Sequence, residues 1–185
     1  MLGKLVTEVA LDRPALIAEP VRSALHGWSQ AVPVSSVLVA PIDPELADTA
    51  AFCEAYDVGL DVSANCVVVA GKREGEMRYA ACMVLATTRA DVNTTARKLL
   101  DVRKASFAPM AEAVELTGME YGGITPIGLP PQWPVYVDSV VAQTPMVVIG
   151  SGIRGSKIVL PGGALAGLPT AQVITGLGVP VGPPP

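Results

Sequence analysis

The side chains able to act as nucleophile, base or metal ligand are few in this 185-residue chain and lie far apart. The cysteines are Cys53, Cys66 and Cys82, with no CxxC pair, so neither a disulfide framework nor a zinc site is suggested. A Cys66 nucleophile needs a base, and the one histidine, His26, closes the first predicted helix with no local signature linking the two. Each cysteine instead sits among apolar residues, as a small buried side chain does. A histidine-based triad and a histidine metal site are both excluded.

Positive charge is the next resource. "ARKLLDVRK" (96–104) carries Arg97, Lys98, Arg103 and Lys104, and "GIRGSK" (152–157) adds Arg154 and Lys157. Against 13 Lys and Arg stand 17 Asp and Glu, a net charge of −4, so the chain as a whole is no polycation built to coat nucleic acid. Solvated faces are the plainer reading of these cations.

Backbone chemistry concentrates in "MEYGGITPIGLPPQWPVYVD" (119–138), where Glu120 is the only charge before Asp138. Gly122 and Gly123 permit positive φ or a close approach of backbone to a ligand, Pro126 fixes the chain, and Gly128 releases it. Such a loop is stiff, offers amide N–H and C=O groups, and keeps bulky side chains away. Those properties suit recognition of a small polar group by backbone contacts. They suit a tight helix-to-strand crossover equally well.

The elements that must position these residues alternate. The sequence predicts a helix over 14–28, with Pro20 as a kink or break, and a strand over 35–41. A helix follows over 48–59, capped by Asp48 or Thr49 and stopped by Gly59. Residues 65–88 read as a β-hairpin with its loop at 72–77. Helices are expected over 91–102, capped by Asp91, and over 107–119, with Pro109 in the first turn and Gly118 as the stop. Strands follow over 133–138, 145–151 and 156–162, then a short helix over 168–174. The proline-rich end from 178 is expected to be disordered, leaving one domain over 1–178 and a flexible tail over 179–185.

Half of the residues are hydrophobic but only 4% are aromatic, so Val, Ala, Leu and Ile must fill the core. No segment runs about 18 residues without a charge or a breaker. Glu8, Asp12, Arg13 and Glu19 stand where a signal peptide needs its apolar stretch. A soluble, cytoplasmic protein with no membrane partner is the expectation. The glycines of "GSGIRG" (150–155) follow a strand but lead into another β run, so the dinucleotide-loop reading fails in its own context.

Three separated motifs carry a resemblance: "RKASFAPMAEAVELTGMEYGGITPIGLP", "VYVD" and "VVIGSGIRGSKIVL". In order and spacing, from about residue 46 to 175, the chain resembles the YbaK and prolyl-tRNA synthetase associated domain. That resemblance implies an α+β fold, a single domain with a mixed, barrel-like β-sheet flanked by helices. It implies hydrolysis of the ester joining a wrong, small amino acid to the 3′ terminal adenosine of tRNA. Gly122, Gly123, Ile124, Thr125 and Pro126 match the family's glycine-x-x-x-proline loop beside the aminoacyl moiety. Gly150, Ser151, Gly152 and Arg154 match the glycine-rich turn on the opposite wall. No metal or other cofactor is implied, and the attacking water is placed by backbone groups and the ribose hydroxyl. The partner is the mischarged tRNA acceptor end, with a synthetase as a possible second one, and Arg97, Lys98, Arg103 and Lys104 are candidates for contacting the RNA.

Two departures concern catalysis. The family usually carries a lysine just before the strand that opens the hairpin, and Asn65 falls there. Lys72 lies roughly 20 Å off along an extended strand and cannot stand in. Lys157 occupies a position that is often acidic in the family and is the candidate to restore the cation. Asn65 and Lys157 are therefore the catalytic candidates. An alternative is a non-catalytic domain of the same fold that binds an aminoacyl-tRNA 3′ end or a related ligand.

Overall fold

Strand alternation decides the layering. Along β4 (Glu76–Leu85), Ala81, Met83 and Leu85 enter one core while Ala80, Cys82 and Val84 enter another. The computed structural model describes residues 2–181 of the chain. In chain order its elements begin with β1 (Glu8–Val9), α1 (Glu19–His26), β2 (Leu38–Pro41), α2 (Thr49–Tyr56) and β3 (Ala64–Arg73). After β4 come β5 (Thr88–Ala90), α3 (Arg97–Leu99), β6 (Ala105–Phe107), α4 (Met110–Thr117), β7 (Val135–Asp138) and α5 (Ser139–Gln143). The last are β8 (Val147–Gly150), β9 (Ser156–Leu160), α6 (Gly162–Ala166), β10 (Ala171–Ile174) and β11 (Gly178–Pro180).

The strands form an α+β domain with a four-stranded sheet β1-β2-β9-β8, a five-stranded sheet β10-β7-β4-β3-β6, and the pair β11-β5. The five-stranded sheet is mixed, since β7 runs parallel to both β4 and β10 while β3 is antiparallel to β4 and β6. The expected barrel does not close: the two large sheets meet through one parallel bridge, Ser63 to Val148. Ile149, Ile158 and Leu160 from one sheet, and Met83, Val135 and Val137 from the other, share a core with Val21 and Leu25 of α1. Val148 and Val159 face the other way and pack with Phe52 of α2. Cys82, Val84 and Tyr136 likewise pack with Ala96 and Leu100 beside α3.

Several expected boundaries are corrected. Pro20 is not a kink. It sits in the first turn of α1, where a missing N–H costs nothing. The helix α2 stops at Asp57, which takes the left-handed conformation that Gly59 was expected to supply. The hairpin tip is the two-residue turn Glu74–Gly75, both at positive φ, so Lys72, Arg73 and Glu76 belong to the ladder and not to a loop. Asp91 caps a π turn (Val92–Ala96) that continues into the three-residue α3. The expected helix over 168–174 is the strand β10, an edge strand parallel to β7, for Val173 and Ile174 suit an extended chain leaving α6. Gly178–Pro180 pairs with Thr88–Ala90 where disorder was expected from 178 on, and 182–185 lie outside the described residues. No helix among the described residues is long and apolar enough to cross a membrane.

Candidate active site

Where β3 and β8 part, the fold leaves a hole. Val148 N–H donates to the Val62 carbonyl (2.8 Å) beside the Ser63 bridge. Beyond that point β3 pairs with β4, Asn65 opposite Val84, while β8 keeps to β9, Gly150 opposite Lys157. The diverging strands enclose a cavity of about 230 Å³. Its walls are the N-terminus of α2 (Asp48, Thr49), the start of β3 (Ser63, Asn65, Cys66), the loop after α4 (Tyr121, Gly122, Ile124), the end of β8 (Ile149, Gly150) and Lys157 of β9.

The two catalytic candidates meet here. Lys157 is buried among the strands of its sheet, and its Nζ donates to the Ala47 carbonyl at 2.9 Å and lies 5.1 Å from the centre of the Phe52 ring. Burial holds its ammonium below the ordinary lysine value, the Arg154 charge pushes the same way, and Cys53 and Asp48 pull against them. Across the cavity Thr49 Oγ1 donates to Asn65 Oδ1 at 2.7 Å. That bond fixes the amide and leaves its NH₂ group as the remaining donor.

The glycine-rich turns are arranged differently from the expected opposite walls. They are fastened together: Gly152 N–H donates to the Gly123 carbonyl (2.7 Å), and Glu120 N–H to the Gly152 carbonyl (2.8 Å). A Cβ on Gly123 would stand 2.6 Å from the Ile153 backbone, and one on Gly150 would stand 2.4 Å from the Gly123 oxygen, so close backbone approach is what requires these glycines. Gly122, Ile124 and Gly150 line the cavity, and the other expected residues do not. Ser151 Oγ is spent inside the turn on Ser156 and the Ile153 carbonyl. Thr125 is fully buried. Pro126 borders a separate, more apolar cavity of about 460 Å³ beside Trp28 and Leu168. Arg154 braces the loop, donating to the Tyr121 and Pro44 carbonyls while its own N–H donates to the Glu120 carboxylate.

The chain matches the aminoacyl-tRNA editing domain family over residues 43–168, well over half its length. It belongs to that family. The editing fold is also seen in solved structures of about one-fifth identity. One, described as a candidate trans-editing enzyme for prolyl-tRNA synthetase, has a TM-score of 0.70 and 22% identity, with 84% of this chain and 93% of that one covered. Another is a scaffold protein used for computational epitope grafting (TM-score 0.69, 21% identity, 85% and 95% covered). A third is the hypothetical protein APE2540 (TM-score 0.68, 21% identity, 87% and 100% covered).

The remaining titratable and basic side chains of this editing domain are placed as follows. Cys66 is half-buried on the cavity wall, and burial raises its thiol above the ordinary value, which disfavours a thiolate there. Among the described residues no three His, Cys, Asp or Glu side chains gather as a metal-binding group. Of the basic candidates, Arg103 borders a depression with Lys72 and Arg73 at the hairpin tip, and Lys104 follows it in the chain. Arg97 and Lys98 lie on α3, whose end is held by Arg78 through the Leu100 and Asp101 carbonyls. The sequence reading missed Asp48, Thr49 and Ser63 as wall residues. The first two had registered only as a helix cap, and only the sheet junction reveals that this helix begins at the cavity.

Proposed function

We propose that the protein is a trans-acting aminoacyl-tRNA deacylase that hydrolyses the ester of a mischarged small amino acid. The observation that carries this reading is that Lys157 and Asn65 both line one small cavity walled by Gly122 and Gly150. The family's usual lysine is absent at 65, and Lys157 supplies a cation from β9 in the other large sheet. A water attacks the ester carbonyl carbon, and the negative charge that develops on the carbonyl oxygen is met by Lys157 and the Asn65 NH₂ group. The carbon–oxygen bond to the ribose then breaks, the ribose oxygen takes the water's proton, and free amino acid and tRNA leave. With no thiolate or histidine at hand, the cavity acts by position and electrostatics, in line with the backbone placement of water implied by the resemblance.

The cavity volume favours a small side chain, for about 230 Å³ must hold the aminoacyl group and its attacking water. The acceptor end of tRNA is the partner, with the cations near α3 and the hairpin tip available to its phosphates. A synthetase is a second partner in this reading. The second reading, binding without turnover, draws on Asn65, an uncharged residue already half engaged by Thr49. A deacylation screen across tRNAs mischarged with small amino acids separates the two. Release of amino acid above the no-protein rate supports the enzyme. Saturable binding of the same tRNAs with no release supports the binding domain.

A further inference from the structure

We propose that Asp48 binds the α-ammonium group of the aminoacyl moiety, so that the cavity accepts free aminoacyl esters and rejects N-acylated ones. This rests on the deacylase reading above and adds a recognition element to the same cavity.

The first observation is what Asp48 does not do. Asp43, Asp91 and Asp138 each occupy the position before a helical turn, and each accepts a backbone N–H of that turn: Glu45 at 2.9 Å, Thr94 and Thr95 at 3.2 and 3.1 Å, and Val140 at 2.9 Å. Asp48 occupies the same position before α2 and makes no such bond. An aspartate is among the best N-cap residues, and capping is the local use expected of it. The residue instead borders the cavity, where it is exposed to solvent.

The second observation is the charge arrangement. Among the described residues Asp48 is the only carboxylate on that wall, and no ion pair joins it to Lys157, the only ammonium there. Lys157 is committed to the Ala47 carbonyl, next to Asp48 in the chain. The cavity therefore offers an unpaired anion and a fixed cation. An aminoacyl ester presents the complementary pair: a cationic α-amino group bonded to the carbon that also carries the carbonyl. An α-amino group ordinarily titrates near ~7.7–8, so it is largely charged at neutral pH. A peptidyl or formyl group removes that charge and adds bulk. Recognition of the ammonium thus confines the activity to esters with a free amine.

The test compares a free aminoacyl-tRNA with its N-acetylated form, using the full chain and its Asp48→Asn variant. The parent is expected to favour the free amine in kcat/KM by roughly tenfold or more, the scale of a charge-assisted hydrogen bond. In Asp48→Asn that ratio collapses towards one, because the loss falls on the free-amine substrate. An equal fall on both substrates overturns the proposal, since it marks Asp48 as a structural or proton-accepting residue. Calorimetry with a non-hydrolysable amide analogue, adenosine aminoacylated through a 3′-amino group, provides an arm independent of turnover. The parent is expected to bind it more tightly than its N-acetyl form, and Asp48→Asn to bind the two alike. If the parent does not discriminate between these analogues, the Asp48 proposal fails whatever the hydrolysis result. Discrimination without any deacylation sinks the enzyme reading instead.

Discussion

Gly152 N–H donates to the Gly123 carbonyl at 2.7 Å, which locks the two glycine-rich turns into one unit behind the cavity. Substitution at Gly123 is therefore a fold lesion before it is a site lesion. The Cβ of Gly123→Val would meet the Ile153 backbone at 2.6 Å, and backbone cannot swing aside as a side chain does. Thermal or urea unfolding is expected to show a loss of roughly 1–3 kcal/mol or more, as overpacking costs. A parent-like melt would mean that the turns are not in contact.

Lys157 gives stability a signed pH dependence. Its folded value is held below the ordinary 10.5 chiefly by burial, so between that lowered value and 10.5 the unfolded chain binds more protons than the folded one. Stability from this residue therefore rises with pH through that window. Below the window the charge is present in both states and its burial opposes folding in full. Urea titrations at a series of alkaline pH values should show the rise in the parent and not in Lys157→Met. Parallel pH profiles for the two proteins would place the ammonium in solvent.

The cysteines are expected to be silent. Burial pushes the Cys82 thiol up to about 12 and Cys66 higher still. In the folded protein at neutral pH, iodoacetamide should leave both unlabelled, and unfolding should expose them to rapid alkylation. Fast labelling of native Cys66 would reopen a thiolate mechanism.

Binding of RNA should be weak and salt-sensitive, because cations that contact phosphates release counterions from the RNA. Lys98, Arg103 and Lys104 are exposed, whereas Arg154 is consumed by the loop it braces. Reversing the three exposed charges together should lower tRNA affinity and flatten the plot of log affinity against log salt. An unchanged salt slope would put the RNA on another face.

Legibility from sequence followed the range of the physics involved. Local signals read well: Asp91 as a cap, Gly118 as a helix stop, and the apolar alternation of β3 and β4 are decided within a few residues. The strand β10 read as a helix because its pairing with β7, more than 30 residues away, is what makes it extended. In the site, Asn65 and Lys157 were legible as departures from a motif. Their shared cavity depends on the divergence of β3 and β8 at Ser63, which no spacing rule encodes. Asp48 was hidden for the opposite reason, because a strong local explanation, helix capping, fitted it and was not the one the fold uses.

Lys157 is proposed to replace, from β9 in the other large sheet, the cation missing at position 65. Single-turnover deacylation of the preferred mischarged tRNA tests it across the parent, Lys157→Met, and Lys157→Met combined with Asn65→Lys, each first matched for folding by circular dichroism. Loss of a preorganised donor to a developing oxyanion predicts a fall of about 10²–10³-fold in Lys157→Met. The double variant, with its ammonium at the family's usual position on the same cavity, should recover a measurable part of that loss. Parent-like release by Lys157→Met would contradict the account.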